Sequence, residues 1–122
     1  MRWLVDGMNV VGSRPDGWWR DRRGAMRRLV ERLEDYAARS GDEVAVVFDG
    51  RPFELPGDGA VEVGFAAGGR NAADHAIAEW VEGDAEPGSL TVVTSDRELA
   101  ERVSAAGASV ETSGAFRRQL GD

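Results

Sequence analysis

Four aspartates stand where an apolar segment stops or a helix is due to start: Asp6 in LVDGMN, Asp49 in AVVFDG, Asp74 in NAADHAI and Asp96 in VVTSDRE. If the apolar runs are parallel strands of one sheet, their carboxyl ends share an edge and the side chains just beyond them converge there. Carboxylates gathered in this way repel one another. A pair about 4 Å apart costs roughly 4 kcal/mol at an effective dielectric near 20. Cations relieve that cost, and an all-oxygen ligand set suits Mg2+ or Mn2+. The chemistry these residue types point to is metal-assisted work on phosphate esters.

Asn9, in D-G-x-N, falls in the first strand-to-helix loop at the same edge as Asp6. Its carboxamide could orient a water or a phosphate oxygen without adding charge. Ser95 could touch a bound water, with helix capping as its competing role. Each acid also has a plainer role. Asp6-Gly7 and Asp49-Gly50 are hairpin-type pairs. The long loop after Asp6 argues against a hairpin there; at Asp49, Pro52 and Pro56 weaken it. Asp74 follows Asn71 by three residues, where an acid favours a helix N-terminus. Ser95 and Glu98 form an S-x-x-E capping box, which would make Asp96 a first-turn acid. Taken one at a time, Asp74 and Asp96 read as helix chemistry; the ordered set of four reads as a site.

The elements that must position these residues follow from pattern. Trp3–Val5 is a short apolar run, and Gly12–Trp19 reads as a loop. From about Asp21 to Arg39, residues Met26, Leu29, Val30, Leu33 and Ala37 keep helical spacing, with Gly41 as the stop. Val44–Phe48 is a continuous apolar run, as in a strand covered on both faces. Arg51–Ala60 is a loop and Val61–Phe65 a weaker strand. Asn71 can cap a helix reaching about Glu82, with Ala73, Ile77, Trp80 and Val81 inward. Asp84–Gly88 is a turn and Leu90–Thr94 a strand. Ser95 opens a helix ending at Gly107, with Leu99, Ala100 and Val103 inward. Ala108–Glu111 is a short strand, and Ala115–Leu120 a terminal helical turn or two. Strands alternating with helices predict an α/β fold with a mainly parallel sheet.

Composition bounds the rest. At 122 residues, 42% apolar and 30% charged, the chain reads as one soluble domain, residues 1–122. With no cysteine, disulfides and thiolate metal sites are excluded, and one histidine, His75, excludes a histidine-rich site. His75 falls on the polar side of its helix. No leader pattern and no run of 18 apolar residues is present, so the expectation is a cytoplasmic protein without a membrane partner. Oligomeric state is not legible.

Net charge is −7, yet its distribution is uneven. Residues 14–39 carry eight Arg against five acids, and residues 40–122 six Arg against sixteen. Every basic residue is Arg, whose planar fork pairs with phosphate bidentately; a genomic preference for Arg explains this equally well. Arg20, Arg22, Arg23 and Arg27, with Arg28 and Arg32, crowd the start of the long helix, close to the loop that follows Asp6. Such a rim could hold RNA phosphates, and Trp18 and Trp19 could stack on unpaired bases. The plain alternatives are a solvated helix face partnered by Glu31, Glu34 and Asp35, and tryptophans packed over the helix.

LVDGMNVVG, VVFDG, NAADHAIAEWV and VVTSDREL, in that order, resemble the NYN domain family of PIN-like ribonucleases, and most its YacP-like branch. The likeness runs from Leu4 to GASVETSGAF near the C-terminus. It implies a PIN-like three-layer α/β/α sandwich, divalent-metal binding (Mg2+ or Mn2+) by Asp6, Asp49, Asp74 and Asp96, and catalysis by these acids with Asn9. It also implies endonucleolytic cleavage of single-stranded or structured RNA to 5′-phosphate and 3′-hydroxyl products, and a ribosome-linked role. The loop after Asp49 departs from that branch, carrying one Arg with Glu54 and Asp58. Two rivals stand beside this reading. One is a PIN-like module that binds RNA or a partner protein without cutting. The other is a phosphatase or nucleotide-handling enzyme, disfavoured because Met8 breaks D-x-D and neither G-x-G-x-x-G nor a P-loop lysine occurs.

Overall fold

The computed structural model of the protein describes residues 1–55, 57 and 59–121; Pro56 and Asp58, read above as part of the loop after Asp49, lie outside them. Five strands, β1 (Arg2–Asp6), β2 (Glu43–Asp49), β3 (Val61–Ala66), β4 (Leu90–Val93) and β5 (Ser109–Glu111), form one sheet in the order β3-β2-β1-β4-β5. Every neighbouring pair is parallel. The parallel pairing of β2 with β3 excludes the hairpin reading of Asp49-Gly50. The chain winds outwards from β1 to β3 and then returns to add β4 on the other side of β1. The crevice at the carboxyl ends of β1 and β4 is therefore the switch point where open α/β sheets bind ligands.

Five helices cover the sheet: α1 (Gly7–Val11), α2 (Arg22–Ser40), α3 (Ala72–Gly83), α4 (Arg97–Ala105) and α5 (Ser113–Leu120). Side chains alternate between the faces of a strand, and the core divides accordingly. Trp3 and Val5 of β1 and Val44, Val46 and Phe48 of β2 pack with α1, α2 and α5. Leu4 of β1 and Ala45 and Val47 of β2 pack with α3 and α4. This is a three-layer α/β/α sandwich. The stripe read from spacing in α2 is buried in full: Met26, Leu29, Val30, Leu33 and Ala37. Asp21 begins this helix by accepting a bond from Gly24 N–H at 3.0 Å, and Gly41 ends it at φ +75. No helix among the described residues is long and apolar enough to cross a membrane.

The structure departs from the sequence pattern at Asn9, Ser95 and Asn71. Asn9 does not lie in a loop; Gly7–Val11 is a single helical turn, followed by a loop and a 3-10 turn at Trp18–Arg20. One turn is too short to be stable alone. It persists because Val10 and Val11 are buried in the α2-side core. Ser95 does not cap α4: Asp96 does, its carboxylate accepting from Leu99 N–H at 2.9 Å. Asn71 occupies the position before α3 but at φ +66, and its side chain makes no capping bond.

Gly7 has a packing role rather than a turn role. A Cβ there would overlap the Phe48 ring and press on Val46. Gly7→Ala should destabilise the protein by about 1–3 kcal/mol through overpacking, read as a lower urea midpoint with an unchanged m-value.

Candidate functional site

Register and the two-residue period place the acids. Asp6 lies two residues beyond Leu4 and Asp49 two beyond Val47, so both side chains leave the sheet on the α3/α4 side. Asp74 sits in the first turn of α3, and Asp96 caps α4 on that same side. All four acids thus belong to one corner, bounded by the carboxyl ends of β1 and β2 and the N-termini of α3 and α4.

Val5 pairs with Val93, which brings Thr94, the residue after β4, alongside Asp6. The Thr94 hydroxyl donates to Asp6 Oδ2 at 2.9 Å and accepts from Asp96 N–H at 3.1 Å. Asp6 is only 4% exposed, and Thr94 1%. Burial, countered by the Thr94 bond and aided by the charges of Asp74 and Asp49, pushes the Asp6 carboxyl up to about 7. Asp74 is raised too, by burial and then by the charges of Asp96 and Asp49. Neighbouring acids are therefore near enough to oppose the ionisation of Asp6 and of Asp74. Asp49 Oδ1 accepts from Ala73 N–H at 3.0 Å, so the bond Asn71 was expected to supply to α3 comes from β2 instead. Helix N-termini favour negative charge, and the N-termini of α3 and α4 each offset part of the repulsion at this corner.

Asn9 is held by residues far away in the chain. Its Oδ1 accepts from Ser95 N–H at 2.9 Å and from the Ser113 hydroxyl at 2.6 Å. Ser95 Oγ, drawn away from α4, accepts from Ser113 N–H at 3.0 Å. Two donors on one oxygen fix the amide orientation, and the Asn9 amide nitrogen donates to no described residue. Thr94 and Ser113, both buried, were not singled out in sequence. Only the T-S-D element hinted at Thr94, and nothing in the local pattern marked Ser113.

The basic rim divides. Arg22 donates to the main-chain oxygen of Asp49 at 3.1 Å, which joins the start of α2 to the acidic corner. Arg23 and Arg27 lie over the Phe53 ring, at 4.7 and 5.6 Å from its centroid, in the loop that follows Asp49. Arg20 lies 5.9 Å from the Trp19 ring. None of these four arginines has an ion pair among the described residues. Trp19 is 55% exposed, whereas Trp18 is half-buried against the core. His75 is exposed, with Nδ1 3.5 Å from an Arg102 nitrogen.

The model for the YacP-like NYN domain matches residues 3–122. The chain belongs to the YacP-like NYN domain family. Two solved structures resemble this YacP-like chain. One is a tryptophan-to-leucine variant of Rae1 (YacP) from Bacillus subtilis, with TM-score 0.78 and 24% identity; the likeness covers 99% of this chain and 74% of that one. The other is Rae1 (YacP) from the same organism, with TM-score 0.74 and the same identity and coverage. The PIN-like sandwich expected from the motifs is thus the fold of a solved YacP protein. No curated protein matches the YacP-like chain.

A divalent cation fits the YacP-like corner in one way and not in another. The donors are hard oxygens, and after burial the charges of neighbouring acids help to raise Asp6 and Asp74, a contribution that a cation would offset. No group of three or more acid or imidazole side chains among the described residues is drawn together closely enough to hold an ion by itself. Mg2+ suits such a place, because it commonly binds through one or two carboxylates with water and substrate phosphate completing its shell.

Thr94→Val tests the buried link. It removes the donor that lowers the Asp6 pKa and the acceptor for Asp96 N–H. The expected cost is about 1–3 kcal/mol of stability. The Asp6 carboxyl should move further up, seen as an upward displacement of its NMR titration.

Proposed function

We propose that this protein is a divalent-metal-dependent endoribonuclease that hydrolyses RNA phosphodiester bonds at the corner formed by Asp6, Asn9, Asp49, Asp74 and Asp96, leaving 5′-phosphate and 3′-hydroxyl ends. The observation that carries this reading is the convergence of the acids on one corner, with Asp6 pushed up to about 7 by burial first and then by the charges of Asp74 and Asp49, in a chain of the YacP-like NYN family. Asp6, with Asp49, Asp74 or Asp96, would hold Mg2+ or Mn2+. When bound, such an ion lowers the pKa of a coordinated water and offsets charge on the leaving oxygen.

The protein's own residues do the rest. Thr94 fixes the Asp6 carboxylate and keeps one of its oxygens satisfied. Asn9, immobilised by Ser95 and Ser113, offers its amide N–H2 to a non-bridging phosphate oxygen. Arg22, beside the end of β2, holds a phosphate next to the scissile one, and Arg20, Arg23 and Arg27 extend that rim. Trp19, exposed beside Arg20, stacks on an unpaired base, while Trp18 supports the loop from the core side. No side chain is required as a covalent nucleophile.

A second reading is favoured by one observation. Because no three acids among the described residues close on a common point, the domain could bind RNA or a partner protein without cutting. Incubating the protein with single-stranded, duplex and structured RNA, in Mg2+, Mn2+ or EDTA, separates the two. Cation-dependent internal cuts with 5′-phosphate ends support the nuclease. RNA retained intact under every condition supports the binding module and overturns the proposal.

A further inference from the structure

A cavity of about 160 Å3 lies on the opposite layer from the acids, where the loop after α1 meets α2 and α5. Among the described residues its walls carry Arg14, Arg28, Arg32 and Arg117 with one acid, Asp16, and Trp18. That local surplus of three positive charges stands within a chain whose net charge is −7. Asp16 is already engaged, its Oδ1 accepting from Trp18 N–H at 3.2 Å. Arg28 and Arg32 are one turn apart on α2 and so share a face.

Arg117 is tethered. Its Nε donates to Val10 O at 3.0 Å and Ser13 Oγ at 2.8 Å, and a terminal nitrogen donates to Val11 O at 3.2 Å. These carbonyls lie at the end of α1, where Val10 O also accepts from Ser13 N–H at 3.2 Å and from the Ser13 hydroxyl at 2.6 Å. The tether holds one guanidinium in place before any ligand arrives, which reduces the entropy lost on binding. The volume is below the roughly 300–1,000 Å3 of a small-molecule site, so the cavity suits a single anionic group rather than a whole nucleoside. Guanidinium groups favour a phosphate, which Arg14 and Arg28 can meet with paired N–H donors while Arg32 and the tethered Arg117 add positive charge beside it.

The cavity is joined to the proposed site through α5. Ser113, which holds Asn9, lies on α5 one turn before Arg117, about 6 Å along the helix axis. We propose that this arginine-lined cavity is a second phosphate-binding subsite that receives a phosphate group of the same RNA chain, away from the bond to be cut. It rests on the RNA reading above, and it assigns Arg14, Arg28, Arg32 and Arg117 a role distinct from that of Arg20 to Arg27.

The test measures RNA affinity by fluorescence anisotropy in EDTA, so that cleavage does not enter. Labelled single-stranded RNA with a 5′-monophosphate or a 5′-hydroxyl is titrated into the full chain, into Arg28→Ala and into Arg39→Ala. Both positions are exposed on α2, and both substitutions change the net charge equally. Arg39 lies outside the cavity, over the Tyr36 ring. Arg28→Ala should weaken binding about tenfold and lower the slope of log affinity against log salt by about 0.7, while Arg39→Ala changes affinity less than twofold. A loss confined to 5′-phosphorylated RNA identifies a chain end as the source of the phosphate; an equal loss for both RNAs identifies an internal phosphate. Equal weakening by the two substitutions, or none by either, overturns the subsite. If wild-type protein binds RNA with this pattern yet never cuts it, the nuclease reading fails and the subsite stands. If wild-type protein binds no RNA, both fail.

Discussion

Asp6→Asn is expected to lower RNA cleavage at least about 100-fold while making the cation-free protein more stable at pH 8. The two effects share a cause. Asp6 is buried, its carboxyl is pushed up to about 7, and its unperturbed value is 3.8. Between about pH 4 and pH 7 the folded protein holds a proton that the unfolded chain has released. Stability therefore falls as pH rises through that window and levels off above 7. The full penalty is roughly 4 kcal/mol, at about 1.4 kcal/mol per unit. Asparagine has the same shape, can still accept from Thr94 and carries no charge. At pH 8 its melting temperature without cations should exceed that of wild type by on the order of 10 °C, with the gap closing towards pH 4. On the catalytic side, loss of even an outer-shell partner of a metal site costs about 10–100-fold, so loss of a direct oxygen ligand should reach or pass that range. Full activity of Asp6→Asn would remove Asp6 from the mechanism.

Divalent cations should stabilise the wild-type protein, and more strongly at pH 8 than at pH 5. A cation competes with protons for Asp6 and for Asp74, whose pKa is also raised, by burial and then by the charges of Asp96 and Asp49. Near pH 5 the Asp6 proton must first be displaced; at pH 8 the Asp6 carboxyl is already ionised. At a concentration 100 times Kd the gain is about 2.7 kcal/mol, on the order of 10 °C in melting temperature. Thermal melts with Mn2+, with Mg2+ and with EDTA at the two pH values measure it. The shift should be absent in Asp6→Asn. An equal shift in wild type and variant would place the cation elsewhere.

Strand and helix identity could be read where a pattern repeats along the chain. The stripe from Met26 to Ala37 and the run Val44–Phe48 report burial directly, because periodicity is set by which face is covered. The acids at the strand ends were legible for the same reason: parallel pairing sends each strand end to one edge. Roles set by contacts between distant segments were not legible. Ser113 reaches Asn9 across 104 residues, and Thr94 reaches Asp6 across 88. Asp49 supplies the bond at the start of α3 across 24 residues, displacing Asn71 from the role its position suggested. The S-x-x-E pattern misplaced the cap of α4 by one residue, because Ser95 Oγ is committed to Ser113. The turn at Gly7–Val11 has no local signature because tertiary packing, not propensity, stabilises it.

Anomalous diffraction from crystals of the wild-type protein soaked in Mn2+ shows whether a cation sits on the Asp6 carboxylate. Mn2+ density in direct contact with the Asp6 carboxylate, and shared with at least one of Asp49, Asp74 and Asp96, is the predicted result. Crystals that diffract well, hold millimolar Mn2+ and show no Mn2+ density at Asp6 would contradict it.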